Sequence, residues 1–168
     1  MDTQIAWAAG FLDGEGCFSI KRYRKHGQGE YLYYVAMISC GQVAKPDGII
    51  AIEKLKELFG GSISKYYLTR NRSDVVSWMV TSNNARNCIE KLLPYLIVKK
   101  SQAIILQEFV NSLRPNGKRQ GKLSEQETQR RREFFERISK LNSKGTTRLQ
   151  RLNEETSKEE ATVRTDGK

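Results

Sequence analysis

The spacing of apolar residues changes several times along the chain, and each change marks a predicted element. Where apolar residues recur every three or four positions, as at Ile52, Leu55 and Phe59, the pattern predicts an amphipathic helix. Where they alternate with polar residues in a segment rich in β-branched and aromatic types, as around Trp78 and Val80, it predicts a half-buried strand. The predicted order is helix 3–12, strands 17–25 and 31–42, helix 46–59, strands 62–70 and 75–82, and helices 84–93 and 98–113.

A helix followed by two strands occurs twice in this order, which predicts an α+β fold of the type αββαββα. Helices should then cover one face of a four-stranded, antiparallel, concave sheet and leave the other face open. In the first strand, Phe18 and Ile20 should point towards the helices, whereas Ser19, Lys21 and Tyr23 should point towards the open face. A concave sheet with polar and basic residues on its open face can enter a nucleic-acid groove.

A run of turn-forming residues, Arg114-Pro115-Asn116-Gly117, follows the last helix of this unit. We expect residues 1–113 to form the core and residues 114–168 to form a charged extension with one further helix near 125–141. From residue 142 onwards the chain is rich in Thr, Glu, Lys and Arg and poor in apolar residues, so we expect this tail to be partly mobile.

The composition narrows the classes of function. The 168 residues include 29 Lys and Arg against 19 Asp and Glu, a net charge of +10, so the expected partner is a polyanion. No apolar run approaches the roughly 20 residues of a membrane span, which argues against an integral membrane protein. The cysteines, Cys17, Cys40 and Cys88, lack paired spacing, which disfavours a disulfide framework or a structural zinc site. This usage fits a reducing, intracellular compartment, whose identity the sequence leaves open.

The first helix contains the segment Ala8-Ala9-Gly10-Phe11-Leu12-Asp13-Gly14-Glu15-Gly16. We expect Thr3 as its N-cap and the glycines of this segment as its end. Ala6, Gly10 and Gly14 are four residues apart, so on a helix they form a smooth stripe that a second helix can approach closely.

Two acids, Asp13 and Glu15, lie at the end of this stripe. If the stripe meets its own copy across a two-fold axis, carboxylates from both copies converge at one point. Converging carboxylates beside a basic sheet suggest divalent metal ions and phosphodiester chemistry. The alternative is that the glycines form a plain turn and that Glu15 is solvated.

This nine-residue segment resembles the signature motif of the LAGLIDADG homing endonucleases, in the variant that ends Asp-Gly-Glu-Gly, with Ala8 in place of the usual Leu. The resemblance covers most of residues 5–113 and implies the homing-endonuclease fold with extra C-terminal helices. Family members with a single motif are homodimers, and a single motif occurs here. The resemblance therefore implies a homodimer whose motif helices form the interface. The residues it places there are Ala6, Gly10, Asp13 and Gly14, with Asp13 also expected to act as a structural acid at the helix end.

The resemblance also assigns catalytic residues. Glu15 matches the motif acid that binds the catalytic metal, and Gly14 matches the residue that offers the metal a backbone carbonyl. Gln42 matches a polar residue that holds active-site water at the end of the second strand. Lys99 matches a lysine near the scissile phosphate, and Lys100 takes that place if the match shifts by one residue.

The implied function is that of a site-specific, intron-encoded homing endonuclease. It would bind a long double-stranded DNA target as a homodimer and make a double-strand break by metal-dependent hydrolysis. Mg²⁺ is the expected cofactor, Mn²⁺ is a substitute, and Ca²⁺ should support binding without efficient cleavage. The alternatives are an RNA maturase and a non-cleaving DNA-binding regulator on the same fold.

DNA contacts are expected from polar and basic residues of the strands. The predicted set is Ser19, Lys21, Tyr23, Lys25, Ser39, Ser64, Tyr66, Arg70 and Ser77. The first hairpin carries four bases without an acid, Lys21, Arg22, Arg24 and Lys25, which favours DNA contact over a solvated edge. Core and groove positions are equally compatible with its tyrosines, Tyr23, Tyr31, Tyr33 and Tyr34.

Overall fold

The computed structural model describes residues 2–25, 31–66, 74–113 and 123–143. Within these ranges, helices and strands follow the predicted order, with a fifth helix after the two αββ units. The elements are α1 (Thr3–Glu15), β1 (Gly16–Lys25), β2 (Tyr31–Val43), α2 (Pro46–Phe59), β3 (Ser62–Tyr66), β4 (Val75–Thr81), α3 (Ser82–Leu92), α4 (Lys100–Ser112) and α5 (Glu125–Asn142).

The N-terminal cap of α1 differs from the prediction. Asp2, and not Thr3, is the N-cap, and its carboxylate accepts hydrogen bonds from the backbone N–H of Gln4 at 3.0 Å and of Ile5 at 3.3 Å. The carboxylate thus satisfies two N–H groups that have no partner within the helix and places a negative charge at the positive end of its dipole.

The C-terminal end of α1 also differs, because Gly10 and Gly14 do not end the helix, which continues to Glu15. The junction with β1 is at Gly16, whose backbone N–H donates to the carbonyl of Leu12. A Cβ at Gly16 would lie 2.6 Å from that carbonyl oxygen, so only glycine fits this close turn. The extension of the helix places both Gly14 and Glu15 in its last turn.

The four strands form one antiparallel sheet in the spatial order β1-β2-β4-β3. The register pairs Phe18 with Ile38 and Ile38 with Val80, and these side chains are buried on the face covered by helices. The predicted alternation in β1 and β4 is therefore confirmed. The predicted third strand extended to residue 70, but β3 ends at Tyr66, and residues 67–73 lie outside the described residues.

The core lies between the helices and the sheet. Leu12 from α1, Phe18 from β1, Trp78 from β4 and Phe109 from α4 are fully buried in it. The indole N–H of Trp78 donates to the carbonyl of Gly60 at 2.8 Å, which holds the end of α2 against the sheet. One face of α1 is thus fixed in the core, which leaves its opposite face at the surface.

The helix α5 packs on the core through α4 and on the edge strand β1. Ile138 is buried, and Arg131, also buried, pairs with Glu127 at 2.7 Å. The side-chain amide of Asn142 donates to the carbonyl of Phe18 at 2.9 Å. The predicted boundary and nearly all of the predicted tail lie outside the described residues, so the division at residue 114 remains a prediction. In the described ranges no helix has the length and apolarity needed to cross a membrane.

Candidate active site

Asp13 and Lys99 join the end of α1 to the start of α4. The Asp13 carboxylate accepts hydrogen bonds from the backbone N–H of Ile97 at 2.7 Å and of Lys99 at 2.9 Å. In return, the Nζ of Lys99 donates to the carbonyl oxygens of Leu12 at 3.2 Å, of Asp13 at 2.5 Å and of Gly14 at 3.0 Å. The Asp13 carboxylate lies at the N-terminal end of α4, where the helix dipole favours a negative charge. The Lys99 ammonium lies at the C-terminal end of α1, where the dipole favours a positive charge.

The surroundings of Asp13 keep its carboxyl ionised. Burial raises its pKa, but the backbone hydrogen bonds from Lys99, Ile97 and Val98 and the charge of Lys99 outweigh burial, so the pKa lies below its ordinary value of 3.8. Asp13 thus acts structurally within its own chain, in line with the expected structural acid. Its place in a dimer interface remains a prediction.

The fold brings the predicted catalytic residues to the end of α1. The Lys99 ammonium donates to the carbonyl of Gly14, next to Glu15, at 3.0 Å, and Gly16 pairs with Cys40, two residues before Gln42 in β2. The Gln42 side chain hydrogen-bonds the thiol of Cys40, and the charges of Glu15 and Lys99 act on it. Burial, aided by Glu15, raises the pKa of Cys40 to about 11, against the opposing effects of Gln42 and Lys99. The thiol is therefore protonated at neutral pH. Glu15, Gln42 and Lys99 thus lie in neighbouring segments of the fold although they are far apart in the sequence.

The oxygen ligands at the end of α1 suit a hard divalent cation, but they are fewer than such an ion needs to complete its coordination. The carboxylate of Glu15 is exposed, and the carbonyl of Gly14 already accepts a hydrogen bond from the cationic Lys99. Carboxylate and carbonyl oxygens are the ligands that Mg²⁺ prefers. Among the described residues no group of three or more His, Cys, Asp and Glu could hold a metal ion. A metal at Glu15 and Gly14 would therefore take further ligands from water, nucleic acid or another chain.

The predicted smooth stripe lies on the surface of α1. Gly10 and Gly14 are exposed, and a Cβ added to either would have no atom within 4 Å. Ala6 is half-buried, and Trp7 and Phe11 stack on the same helix with ring centroids 5.4 Å apart. The surface of α1 thus combines a backbone groove with an aromatic pair, with space for another helix to approach.

The open face of the sheet carries the described part of the predicted DNA-contact set. The register places Ser19, Lys21 and Tyr23 of β1, Ser39 of β2, Ser64 of β3 and Ser77 of β4 on this face. Ser19 is only 6% exposed and its hydroxyl donates to the carbonyl of Met37 at 3.4 Å, so the structure argues against its predicted DNA contact. The hydroxyl of Ser77 donates to the carbonyl of Cys40 at 3.2 Å. Lys25 and Tyr66 lie at the ends of their strands, where the backbone of Lys25 pairs with Tyr31 and that of Tyr66 with Val75. Arg70 lies outside the described residues.

The four basic residues of the first hairpin do not all lie on the same face of the sheet. Strand alternation places Lys21 on the open face but Arg22 and Arg24 on the opposite side, where Arg22 pairs with Tyr34 in the register. The guanidinium of Arg22 lies 5.3 Å from the ring centroid of Phe135 in α5. Arg22 thus packs against the C-terminal helix, and the basic character of the open face rests on fewer residues than a count along the strand suggests.

The structure also separates the tyrosines that the sequence left undecided. Tyr34 is buried in the core, whereas Tyr33 lies on the open face and stacks on Tyr23 with ring centroids 5.3 Å apart and planes 22° apart. The sequence left Tyr33 undecided between core and groove and did not include it in the predicted DNA-contact set. Tyr33 and Ser39 are an even number of residues apart in β2, so their side chains point to the same face of the sheet. This spacing is the signal in the sequence that identifies the face of Tyr33.

Comparison with known proteins identifies relatives among DNA endonucleases. The family model described as LAGLIDADG endonuclease matches residues 8–113. The DNA endonuclease I-CvuI of Chlorella vulgaris is 28% identical over 119 residues, which are 68% of this chain and 68% of the relative.

Solved structures of homing endonucleases share the fold. I-CvuI in complex with the I-CreI target in the presence of Mg superposes with a TM-score of 0.66 at 21% identity over 86% of each chain. The archaeal intron-encoded I-Vdi141I, complexed with DNA, gives a TM-score of 0.64 at 23% identity over 88% of this chain and 89% of that chain. The predicted αββαββα fold with one four-stranded antiparallel sheet is confirmed.

Proposed function

Because the chain belongs to the LAGLIDADG endonuclease family, whose members hydrolyse phosphodiester bonds in DNA, we propose that it works as a metal-dependent homodimer that cuts both strands of one long target. The observation that carries this proposal is the contact of Lys99 with the Gly14 carbonyl beside Glu15, at the end of the motif helix, where the register of β1 and β2 also places the segment that holds Gln42. Each of these side chains has a distinct task in phosphodiester hydrolysis.

The case for a homodimer comes from the exposed side of α1. One chain supplies one motif acid at the site, whereas a double-strand break needs two cuts. Gly10 and Gly14 leave room for a second α1, and contact around a two-fold axis would bring Glu15 of both copies together. Ile97 and Val98 are 84% and 73% exposed beside Lys99, and they would extend the apolar part of this interface.

The tasks of the catalytic residues follow from their chemistry. Glu15 and the carbonyl of Gly14 would hold a divalent cation, Mg²⁺ or in its place Mn²⁺, which when bound activates water and stabilises charge on phosphate oxygens. Gln42 can orient water through its amide, and Lys99 can offset the negative charge that develops on the phosphate. Solved structures of I-CvuI include one in the presence of Mg and one in the presence of Ca.

The open face of the sheet provides the DNA-binding surface in this proposal. Lys21 would contact phosphate, while Ser39, Ser64 and Ser77 offer hydroxyls to base edges or phosphates. The stacked pair of Tyr23 and Tyr33 adds a broad apolar surface with two hydroxyls towards the end of the β1–β2 hairpin.

The function is tested by incubating the protein with random-sequence double-stranded DNA and Mg²⁺ and sequencing the cut ends. We expect recurrent cuts in both strands at one long site whose halves are related by two-fold symmetry. A matched incubation with Ca²⁺ should retain the same site in a pull-down without cut ends. Enrichment of a DNA site without cuts in Mg²⁺ would instead indicate a regulator, and preference for structured RNA would indicate a maturase.

A further inference from the structure

The ammonium group of Lys99 has no hydrogen-bond donor left for a phosphate in the structure. A lysine ammonium has three N–H donors, and Lys99 directs them at the carbonyl oxygens of Leu12, Asp13 and Gly14. The same Lys99 is the predicted cation beside the scissile phosphate. For a direct contact with phosphate, at least one of these three hydrogen bonds must be given up.

The bond to Gly14 differs from the other two in ways that make it the one to break. The contacts of Lys99 with the carbonyls of Leu12 and Asp13 are partly buried, whereas its contact with Gly14 is exposed. The carbonyl of Gly14 is also the oxygen predicted to ligate the divalent ion, next to the carboxylate of Glu15. The carbonyl oxygen of Gly14, which accepts from the Lys99 ammonium, would therefore also have to ligate the divalent ion.

We propose that Lys99 occupies the Gly14 carbonyl as a resting position and that binding of a divalent cation at Glu15 and Gly14 displaces one of its N–H groups towards the DNA. The divalent ion carries twice the charge of the ammonium and repels it at short range. The backbone of Lys99 stays in place, because Asp13 accepts its N–H at 2.9 Å, so the side chain moves from a fixed base. Metal binding and the presentation of the lysine charge are thus one coupled event.

This inference rests on the proposed metal-dependent function but makes a separate claim about Lys99. If the lysine merely supports the end of α1, all three of its hydrogen bonds persist when metal is bound. If the lysine is a resting cation, its bond to Gly14 is lost when metal binds, even without DNA. The metal-bound state of the free protein distinguishes these two roles.

The test is NMR spectroscopy of lysine ammonium groups in the full ¹⁵N-labelled chain, titrated with Mg²⁺ in the absence of DNA. In the metal-free protein we expect a slowly exchanging ammonium signal from Lys99, because three hydrogen bonds protect its protons. Through-bond correlations along the lysine side chain, recorded on the unmodified chain labelled with ¹³C as well, assign this signal. Mg²⁺ should shift this signal and speed its exchange with water. The exposed Lys56 on α2 provides the matched control, and the Glu15→Gln variant should keep the Lys99 signal unchanged when Mg²⁺ is added.

A second measurement compares Mg²⁺ affinity by calorimetry. Lys99→Met should bind Mg²⁺ about tenfold more tightly than the unmodified chain, since no charged hydrogen bond has to be given up. Lys56→Met, which removes an exposed lysine from α2, should change the affinity much less. An unchanged Lys99 signal throughout the Mg²⁺ concentrations that support cleavage would overturn the proposal, as would weaker Mg²⁺ binding by a folded Lys99→Met. Because the NMR experiment uses the unmodified chain, it decides the question even if that variant fails to fold. Cleavage of DNA by a protein whose Lys99 signal never changes would leave the proposed function standing and remove only this inference.

Discussion

Asp13 and Lys99, 86 residues apart, each stabilise the end of the helix to which the other residue is attached. Asp13, at the end of α1, accepts the backbone N–H of Lys99 immediately before α4, and Lys99 donates its ammonium to the last carbonyls of α1. This reciprocal contact fixes the relative position of the motif helix and the segment that carries the lysine. The geometry of the candidate site therefore depends on Asp13 even though Asp13 has no assigned catalytic task.

Removing the Asp13 carboxylate should destabilise the fold. Asp13→Ala leaves the N–H groups of Ile97 and Lys99 without their acceptor, and loss of a comparable helix cap costs about 1–2 kcal/mol. Urea unfolding monitored by circular dichroism measures this loss. Glu90→Ala, an exposed acid on α3, is the control and should change stability by less than about 0.5 kcal/mol. Equal stability of Asp13→Ala and the unmodified chain would show that the contact contributes nothing.

The contribution of Asp13 should also depend on pH. Its pKa is lowered in the folded protein, so the ionised carboxylate stabilises the fold fully above the unfolded value of about 3.8. As the pH falls from there through the lower folded pKa, this contribution is lost. The stability difference between the unmodified chain and Asp13→Asn, measured by urea unfolding at a series of pH values, should therefore shrink in this acid range. A difference that stays constant down to the lowest pH would contradict the assignment.

The exposed stripe on α1 gives a prediction that separates dimer formation from folding. Gly10→Leu adds a side chain where the single chain has open space, so the subunit should fold normally while a closely packed second helix is pushed away. Sedimentation should show a dimer for the unmodified chain and a monomer for Gly10→Leu. Gly16→Ala is the contrasting variant, since its Cβ would lie 2.6 Å from the carbonyl of Leu12 and should impair folding itself. A dimer of undiminished strength in Gly10→Leu would place the interface elsewhere.

The open face predicts which lysine affects the salt dependence of DNA binding. If Lys21 contacts a phosphate, Lys21→Ala should reduce the slope of log K against log salt by about one unit per monomer. Lys56→Ala removes the same charge from α2, on the other side of the sheet, and should leave the slope nearly unchanged. Fluorescence anisotropy at several salt concentrations measures both slopes. Equal slopes for the two variants would show that Lys21 does not contact the DNA backbone.

The C-terminal helix should contribute to the stability of the folded unit. Ile138 of α5 is 1% exposed, and truncating such a residue costs about 2–4 kcal/mol, so Ile138→Ala should unfold at clearly lower urea concentrations. Leu141 on the same helix is 45% exposed, and Leu141→Ala should have little effect. If both variants unfold with the unmodified chain, α5 is not coupled to the core.

The sequence predicts the fold well because its patterns are local. Alternation around Trp78 and the glycines after Phe59 identify elements whose bounds the structure matches within one or two residues. The helix α1 is the exception: Gly10 and Gly14 read as helix-ending residues, but packing of the face that contains Leu12 keeps this segment helical. The intrinsic helix propensity of a residue has little influence on its secondary structure where tertiary contacts oppose it.

For the candidate site, the sequence could suggest residues but not the contacts that these residues make. The motif resemblance identifies Glu15, Gln42 and Lys99, whereas the three carbonyls around the lysine depend on how α4 is placed beside α1. Strand alternation alone was sufficient to separate Lys21 from Arg22 and to place Tyr33 on the open face. The count of four bases along the first hairpin did not distinguish the two faces of the strand, on which Lys21 and Arg22 lie.

In the proposed function, Glu15 holds the metal that cleavage requires, while DNA binding rests on other residues. Glu15→Gln keeps the shape of the side chain but removes the charge that attracts the cation, and Glu57→Gln, at an exposed position on α2, is the matched control. The decisive measurement pairs a gel shift in Ca²⁺ with a cleavage time course in Mg²⁺ on one target. We expect Glu15→Gln to bind DNA like the unmodified chain and to cleave slower by several orders of magnitude, with Glu57→Gln normal in both assays. Cleavage by Glu15→Gln at the unmodified rate, or loss of binding and cleavage together, would contradict this account.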